Sequence, residues 1–402
     1  MKPWKANFTA LLIAETLAMI GFGISTPVIP LFLGSEIGIT DPVKLKTWVG
    51  VIQSASAVTL AIFAPIWGHL ADSYSRRAML LRAMFGGAVV ISLMTFSQSP
   101  WHLLILRSIQ GCLTGTVAAA TVLTAGISPI AQIAFTLGLL QTGVAVGNSL
   151  GPLVGGVLSD FLGHRVAFFA TGVTLALSGL VVLKWVEDDI RSAPVKGAKK
   201  LSLLPDFRPI IGSPILITLL LVNFGISAAN TVATPMLPLF LQELAMKISE
   251  TPKYIGSATG IVLGVGAATT ALAAVLVGKF SPRLGYWKTL LICTSVGALL
   301  TIPQTFVTNM MQLTVLRAFS SFFLGGTPPT IDALIMTSTK KEHQGSVYGL
   351  NSSLSSTAGA IGPLIGSAVA MFSYRWVFMA TAIILGISAL RINSQYKSSR
   401  RR

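Results

Sequence analysis

Long apolar runs, each followed by a short polar segment, occupy most of this 402-residue chain. A helix needs about 20 residues, at roughly 1.5 Å per residue, to cross the hydrocarbon core of a bilayer. The pattern therefore predicts an all-α membrane protein. Twelve runs are long enough to predict transmembrane helices, at residues 8–33, 47–67, 79–97, 101–124, 132–158, 165–185, 213–241, 255–277, 288–306, 312–337, 345–371 and 375–391.

The first six runs and the last six resemble each other at an offset of about 210 residues. TPVIPLFL at residues 26–33 matches TPMLPLFL at residues 234–241, and RVAFFAT at 165–171 matches RWVFMAT at 375–381. Because six is an even number, both halves enter the membrane with the same orientation. The sequence predicts two pseudosymmetric six-helix bundles, at residues 1–186 and 213–391. A cytoplasmic linker at residues 187–212 joins them, and a basic cytoplasmic tail follows at residues 392–402.

The placement of charge predicts the orientation of these spans. A net charge of +16 first raises nucleic-acid binding as a function class. With a cytoplasmic N-terminus, however, most of the 29 basic residues fall in cytoplasmic segments, as the positive-inside rule requires. Both termini are therefore predicted to be cytoplasmic. Membrane orientation accounts for most of the basic residues, so nucleic-acid binding is not needed to explain the positive charge.

The sequence contains no phosphate-binding loop, no metal-ligand spacing and no nucleophile–base pair. We therefore expect neither an enzyme nor a cofactor or metal. The energy for any transport is expected to come from an ion gradient.

Glycines recur at every fourth position in the fifth predicted span. Gly143, Gly147, Gly151 and Gly155 form one stripe of a helix, which allows another helix to approach closely. Pro152 weakens the same helix, and Gly156 follows the stripe. The stripe is either a packing surface or part of a moving one. A second stripe occurs in the eighth span, at Gly256, Gly260 and Gly264.

Three motifs together resemble those of the major facilitator superfamily. They are GHLADSYSRR after the second span, LILRSIQG in the fourth and GVAVGNSLGPLVGG in the fifth. Within that superfamily the chain resembles the twelve-span drug:proton antiporters, in which the fifth-span motif is characteristic of exporters. The resemblance implies the major facilitator fold and transport by alternating access.

The loop after the second span resembles the signature loop of the superfamily. Gly68, Asp72, Arg76 and Arg77 match its pattern, whereas serines at 73 and 75 replace a usual base and a usual glycine. The resemblance implies a latch on the cytoplasmic side, in which Asp72 pairs with the positive end of a neighbouring helix. The alternative is a positive-inside anchor without a latch function.

Glu15 is the most informative single residue, because an acid inside a lipid-crossing helix is costly and usually serves an ion or substrate pathway. Arg107 enters the fourth span from the opposite side and matches the span-four arginine of the superfamily. Glu15 is predicted to carry protons or to contact a cation. It could instead form a structural ion pair with Arg107 or lie near the interface. Asn223 occupies its position in the second half.

Asp332 is the second candidate acid, and it follows the helix-breaking cluster GGTPP at residues 325–329. It either couples protons or pairs with Lys340 or Lys341 near the interface. Neutral polar side chains in spans either line a central cavity or join helices by hydrogen bonds. They are Gln141, Asn148, Asn223, Asn230 and Asn351.

The sequence therefore predicts a proton-driven exporter of small apolar or cationic drugs, acting as a monomer in the bilayer of a bacterial inner membrane and binding no nucleic acid. One alternative is a specific sugar or peptide carrier on the same fold. The other is a receptor or chaperone on this scaffold that does not transport.

Overall fold

The structure is a computed structural model that describes residues 3–73, 75–187, 213–247, 254–339 and 343–401. These residues form helices and short connections, without a strand. The predicted linker lies outside this part of the chain from residue 188 onward. The described α-helices are α1 (Pro3–Ile24), α2 (Val28–Ser35), α3 (Pro42–Ser73), α4 (Arg76–Met94), α5 (Pro100–Leu113), α6 (Thr116–Ile127), α7 (Ile133–Leu162), α8 (His164–Trp185), α9 (Pro214–Val232), α10 (Leu237–Lys247), α11 (Ile255–Leu284), α12 (Tyr286–Thr301), α13 (Met310–Gly325), α14 (Thr327–Ser338), α15 (Gln344–Ala370) and α16 (Tyr374–Arg401).

Ten segments of the described chain are helical, long and apolar enough to cross a bilayer. They correspond to the first nine predicted spans and to the twelfth, so the predicted all-α membrane class is confirmed. They are Trp4–Ser35, Pro42–Ala64, Arg76–Met94, Pro100–Ile127, Phe135–Leu162, His164–Trp185, Pro214–Lys247, Ile255–Leu284, Tyr286–Phe306 and Tyr374–Lys397.

The predicted tenth and eleventh spans are helical as well, in α13, α14 and α15, but they are not among those ten. In α15 the physical reason is five hydroxyl side chains among residues 352–357, interrupted by Leu354, which lower the hydropathy of that helix. The count of twelve spans stays a prediction.

The chain divides into two compact units. Unit 1 contains residues 1–40, 55–203 and 253–264, and unit 2 contains residues 41–54, 204–252 and 265–402. In this division residues 41–54 belong to unit 2 and residues 254–264 belong to unit 1. The predicted boundaries of the two bundles stay a prediction.

Four predicted spans are broken helices, and the breaks occupy matched positions in the two halves. The first span is interrupted at Ser25–Pro27 and the seventh at Ala233, both beside the repeated Thr-Pro sequence. The fourth span is interrupted at Thr114–Gly115 and the tenth at Gly326. Such breaks leave main-chain groups unpaired within the helix, which discontinuous spans use at binding sites.

The helices of unit 1 pack around α1, which contacts α6, α7 and α8, while α4 packs on α8 and α5. In unit 2, α9 contacts α15 and α16, and α12 packs on α13 and α16. Both units contain the same edge-to-face aromatic pair at matched positions. Phe32 and Phe168 have ring centroids 5.2 Å apart, as do Phe240 and Phe378.

Candidate functional site

Glu15 lies inside α1 of unit 1 and is 0 % exposed. Its Oε1 atom accepts a hydrogen bond of 2.9 Å from the hydroxyl of Thr116, which is 2 % exposed. Its Oε2 atom has no hydrogen-bond partner among the described residues. The structure thus contains a buried membrane acid with one of its two oxygens hydrogen-bonded.

The break in the fourth span places Thr116 beside Glu15. The helix α5 ends at Leu113, and Gly115 has a φ of +117°, in the left-handed region that favours glycine. The chain then restarts as α6, with Thr116 as its first residue. No local sequence pattern indicates this contact, and Gly115, the signal that could have pointed to the break, was not singled out from the sequence.

Arg107 is buried in the same unit, at 7 % exposure, and donates from Nη1 to Oε1 of Gln110 at 2.9 Å. Ion pairs among the described residues join Arg165 to Glu36 and Lys247 to Glu243. Glu15 takes part in neither of them. The structure therefore does not join the two predicted partners, Glu15 and Arg107, as an ion pair.

The stripe of Gly143, Gly147, Gly151 and Gly155 packs against α1, the helix that carries Glu15. A Cβ atom at Gly143 would lie 2.5 Å from Oγ1 of Thr16, and one at Gly151 would lie 2.6 Å from Cα of Gly23. At Gly155 a Cβ atom would overlap the Ile24 carbonyl oxygen. The absence of side chains on the stripe thus sets the position of α1 against α7.

The opposite face of α7 packs against the first turns of α11, also within unit 1. A Cβ atom at Gly264 would lie 2.7 Å from the Ser149 carbonyl oxygen, and one at Gly260 would overlap the carbonyl oxygen of Pro152. Gly156 lies on this face, against the main chain of Gly256. The glycine stripe of α7 therefore packs against α1, whereas the glycine stripe of α11 packs against α7. Both contacts lie within unit 1.

Asp160 lies at the end of the contact between α7 and α11, and its role was not predicted from the sequence. Its two carboxylate oxygens accept hydrogen bonds from the main-chain N–H groups of Gly256, at 2.9 Å, and Ser257, at 2.6 Å. These groups belong to the first turn of α11, where N–H donors have no partner within the helix. Asp160 therefore caps α11.

Unit 2 has a neutral cluster at the position that matches Glu15. The amide nitrogen of Asn223 donates to Oδ1 of Asn351 at 2.8 Å and to Oγ of Ser355 at 2.8 Å. Asn223 and Asn351 are each 8 % exposed. These two asparagines join α9 to α15, and Ser355 is a partner that sequence reasoning missed.

The structure does not bring the other predicted polar residues into this cluster. Gln141, Asn148 and Asn230 are exposed. Asp332 is exposed on α14, and its main-chain carbonyl accepts a hydrogen bond of 2.9 Å from the hydroxyl of Tyr348. Its predicted alternative partners, Lys340 and Lys341, lie outside the described residues.

The predicted latch loop is described in part. Gly68 and Asp72 lie in α3, but their side chains are outside the described part of the chain. Arg76 and Arg77 begin α4, and Arg77 donates to the Leu183 carbonyl oxygen. The pairing of Asp72 stays a prediction.

A sequence model of the Major Facilitator Superfamily matches residues 11–310 and 296–396 of the chain. The chain belongs to the Major Facilitator Superfamily. The family predicted from its motifs is therefore confirmed, and the protein is a multi-pass membrane transporter.

Relatives of this superfamily member support the assignment. The multidrug resistance protein MdtG of Proteus mirabilis (strain HI4320) is 32 % identical over 383 residues, covering 95 % of this chain and 94 % of the relative. The MdtG protein of Klebsiella pneumoniae (strain 342) is 30 % identical over 388 residues, covering 96 % and 92 %. These relatives are transporters and not enzymes.

Solved structures show the same superfamily fold. The nucleoside transporter NupG aligns with a TM-score of 0.79 at 14 % identity, covering 99 % of this chain and 100 % of that one. A bacterial homologue of the human lysosomal transporter Spinster aligns with a TM-score of 0.78 at 15 % identity, covering 98 % and 96 %. At such identities the likeness concerns the fold alone.

Proposed function

We propose that this transporter exports small apolar or cationic drugs in exchange for protons, by alternating access of two six-helix bundles formed by twelve spans. The same proposal places it as a monomer in a bacterial inner membrane with both termini in the cytoplasm. The names of its MdtG relatives, which are bacterial multidrug resistance proteins, support the substrate class and the membrane. The bias of basic residues towards one side supports the orientation.

The observation that carries proton coupling is the environment of Glu15. The side chain is 0 % exposed, is in no ion pair among the described residues and has one hydrogen-bonded oxygen. An acid in a lipid-crossing helix is costly and marks an ion or substrate pathway by default. A structural role as half of a buried ion pair would need a cation, which the described ion pairs do not supply.

Exchange follows from the two charge states of one carboxyl group. As a carboxylate, Glu15 compensates the charge of a cationic drug that enters from the cytoplasm. When a proton from outside binds to Glu15, that compensation is lost and the drug is released. The neutral carboxyl then returns and releases its proton to the cytoplasm. Drug and proton thereby use the site in turn.

The test uses inverted membrane vesicles that contain the full-length protein and follows accumulation of a fluorescent cationic drug with and without an imposed pH gradient. We expect Glu15→Gln to lose gradient-driven accumulation and to exchange labelled for unlabelled cationic drug only weakly, because a neutral side chain does not compensate the charge of the drug. A glutamine is similar in size to glutamate but cannot take up or release a proton near neutral pH.

The matched control is Glu187→Gln, which removes an acid that is exposed. This variant should accumulate drug as the natural protein does. If Glu15→Gln still accumulates drug against its gradient, Glu15 is not the proton carrier, and Asp332→Asn becomes the next variant. If no drug moves in any protein, the drug substrate class is wrong, and a panel of sugars and peptides is tested instead.

A further inference from the structure

The hydroxyl of Thr116 makes the two oxygens of Glu15 chemically different. Oε1 accepts from Thr116 at 2.9 Å, whereas Oε2 has no partner among the described residues. Both side chains are almost fully buried, at 0 % for Glu15 and 2 % for Thr116. In an environment of low polarity, one good hydrogen bond is enough to hold a carboxyl group in one orientation.

The position of Thr116 is set by the main chain. A threonine in the middle of a helix commonly donates to a carbonyl one turn earlier, as Thr121 does to Val117 at 2.7 Å. Because α6 begins at Thr116 after the left-handed turn at Gly115, the preceding turn is not helical there. The hydroxyl of Thr116 instead donates across to α1.

Among the described residues, Glu15 takes part in no ion pair with the charged side chains of the helices around α1. The helix α6 has no ionisable side chain, and Arg107 on α5 donates to Gln110. Gly143 packs beside Thr16, so Asp160, 17 residues further along α7, is about 26 Å away at 1.5 Å per residue. His164 and Arg165 follow at the same end of α8, and Lys184 at its other end is exposed and lies over the Trp185 ring.

We propose that Thr116 is the positioning residue of the coupling carboxyl: it reserves Oε1 as a hydrogen-bond acceptor, so that the transported proton binds and leaves at Oε2. This inference rests on the proposed role of Glu15 as proton carrier. In the protonated state Oε1 is the carbonyl oxygen and still accepts from Thr116, and Oε2 carries the hydrogen. In the ionised state the same hydroxyl stabilises the charge.

The test measures infrared difference spectra of the full-length protein in liposomes between high and low pH. The carbonyl stretch of protonated Glu15 is assigned as the band that disappears in Glu15→Gln. We expect this band to move to higher wavenumber in Thr116→Val, because the carbonyl oxygen Oε1 loses its donor. Thr116→Ser keeps a hydroxyl and should leave the band near its natural position.

The chain offers a matched control in Thr124. It lies two turns further along α6, is 0 % exposed, and its hydroxyl has no hydrogen-bond partner among the described residues. Thr124→Val should leave the Glu15 band in place. Gradient-driven drug uptake should fall by roughly tenfold or more in Thr116→Val, since a hydrogen bond to a charged group contributes about 1.5–3 kcal/mol and about 1.4 kcal/mol corresponds to a factor of ten. It should stay unchanged in Thr124→Val.

The outcomes separate this inference from the proposed function. If Glu15→Gln abolishes coupling and the band, but Thr116→Val moves neither band nor uptake, the positioning role is wrong while the proton carrier stands. If Glu15→Gln changes neither coupling nor the spectrum, the proposed function itself is wrong. Should Thr116→Val fail to fold, Thr116→Ala removes the same hydroxyl without adding a methyl group, and the same band shift decides the matter.

Discussion

The matched positions Glu15 in unit 1 and Asn223 in unit 2 show how two similar halves differ chemically. Glu15 accepts one hydrogen bond from Thr116, and its second oxygen has no partner among the described residues. The amide nitrogen of Asn223 has two partners, Asn351 and Ser355. Since an amide does not change charge near neutral pH, the unit 2 cluster has a fixed charge, whereas the carboxyl group in unit 1 can exist in two charge states.

The two units also differ in the glycines of the matched helices α7 and α15. The sequence GPLVGG in α7 matches GPLIGS in α15, so Gly151 and Gly155 correspond to Gly362 and Gly366. Both later glycines approach the main chain of α9, as the earlier ones approach that of α1. One and two turns before Gly362, however, unit 2 has Ala358 and Leu354, where unit 1 has Gly147 and Gly143. Close backbone contact therefore runs further along the helix in unit 1.

The largest expected effect on stability is that of Gly155→Ala. A Cβ atom there would overlap the carbonyl oxygen of Ile24 and lie 2.6 Å from its Cα atom, and main-chain atoms cannot move aside cheaply. Overpacking typically costs about 1–3 kcal/mol, and a contact with main-chain atoms places this change at the upper end of that range or above it. We expect a lower midpoint of thermal unfolding in detergent, and Gly366→Ala should behave in the same way.

Gly138 is the matched control, because it lies on the same helix and a Cβ atom there meets nothing within 4 Å. Gly138→Ala should leave the unfolding midpoint unchanged or raise it slightly, since alanine favours helix. Equal midpoints for Gly155→Ala and Gly138→Ala would show that the stripe does not determine how α1 packs on α7.

A smaller loss of stability is expected for Asn223→Ala. The change removes one amide that donates two hydrogen bonds and leaves the buried Asn351 without that donor, at a cost of about 1–3 kcal/mol. Gradient-driven drug uptake by the folded fraction should persist, in contrast to Glu15→Gln. The exposed Asn230, seven residues further along α9, provides the control for stability through Asn230→Ala.

Loss of proton coupling in Asn223→Ala, at normal stability, would contradict the division into a two-state site in unit 1 and a fixed cluster in unit 2. Stability and gradient-driven drug uptake are therefore measured on the same preparation.

The smallest effect is expected for Asp160→Asn, which weakens the cap on α11. An asparagine has one acceptor oxygen where the carboxylate has two, and a cap contributes about 0.5–2 kcal/mol. Amide hydrogen exchange should become faster in a peptide that contains Gly256 and Ser257. The N–H of Leu216, which Ser213 caps in unit 2, should exchange at its natural rate. An unchanged rate at both helix starts would show that Asp160 contributes nothing to this contact.

The sequence was most informative where one residue has a strong preference of its own. Apolar runs predicted the helices, and the Thr-Pro sequences coincide with breaks in two spans. Glu15 was selected because it is an acid inside an apolar span. The contact of Glu15 with Thr116 joins residues 101 positions apart, and no local pattern indicates such a pairing. Neighbours of a membrane helix are hard to predict from hydropathy, because lipid and protein partners are equally apolar.

Residues 41–54 and 254–264 illustrate the same point. Hydropathy predicts spans that begin within these segments, at residues 47 and 255, but not the helices against which they pack. The pairing of Gly156 with Gly256 needs two glycines in register on separate helices, and the four-residue spacing of Gly256, Gly260 and Gly264 was the signal that could have indicated it.

Unit 1 includes residues 253–264, and this has a consequence for biogenesis. A chain emerges from the ribosome with its N-terminus first. The contact between α7 and α11 therefore cannot form fully until residue 264 of 402 has been synthesised. Unit 2, in turn, needs residues 41–54, which were synthesised long before. Neither unit is therefore complete when the linker has been synthesised, and a gene divided in the linker would yield two fragments that each lack a segment of their own unit.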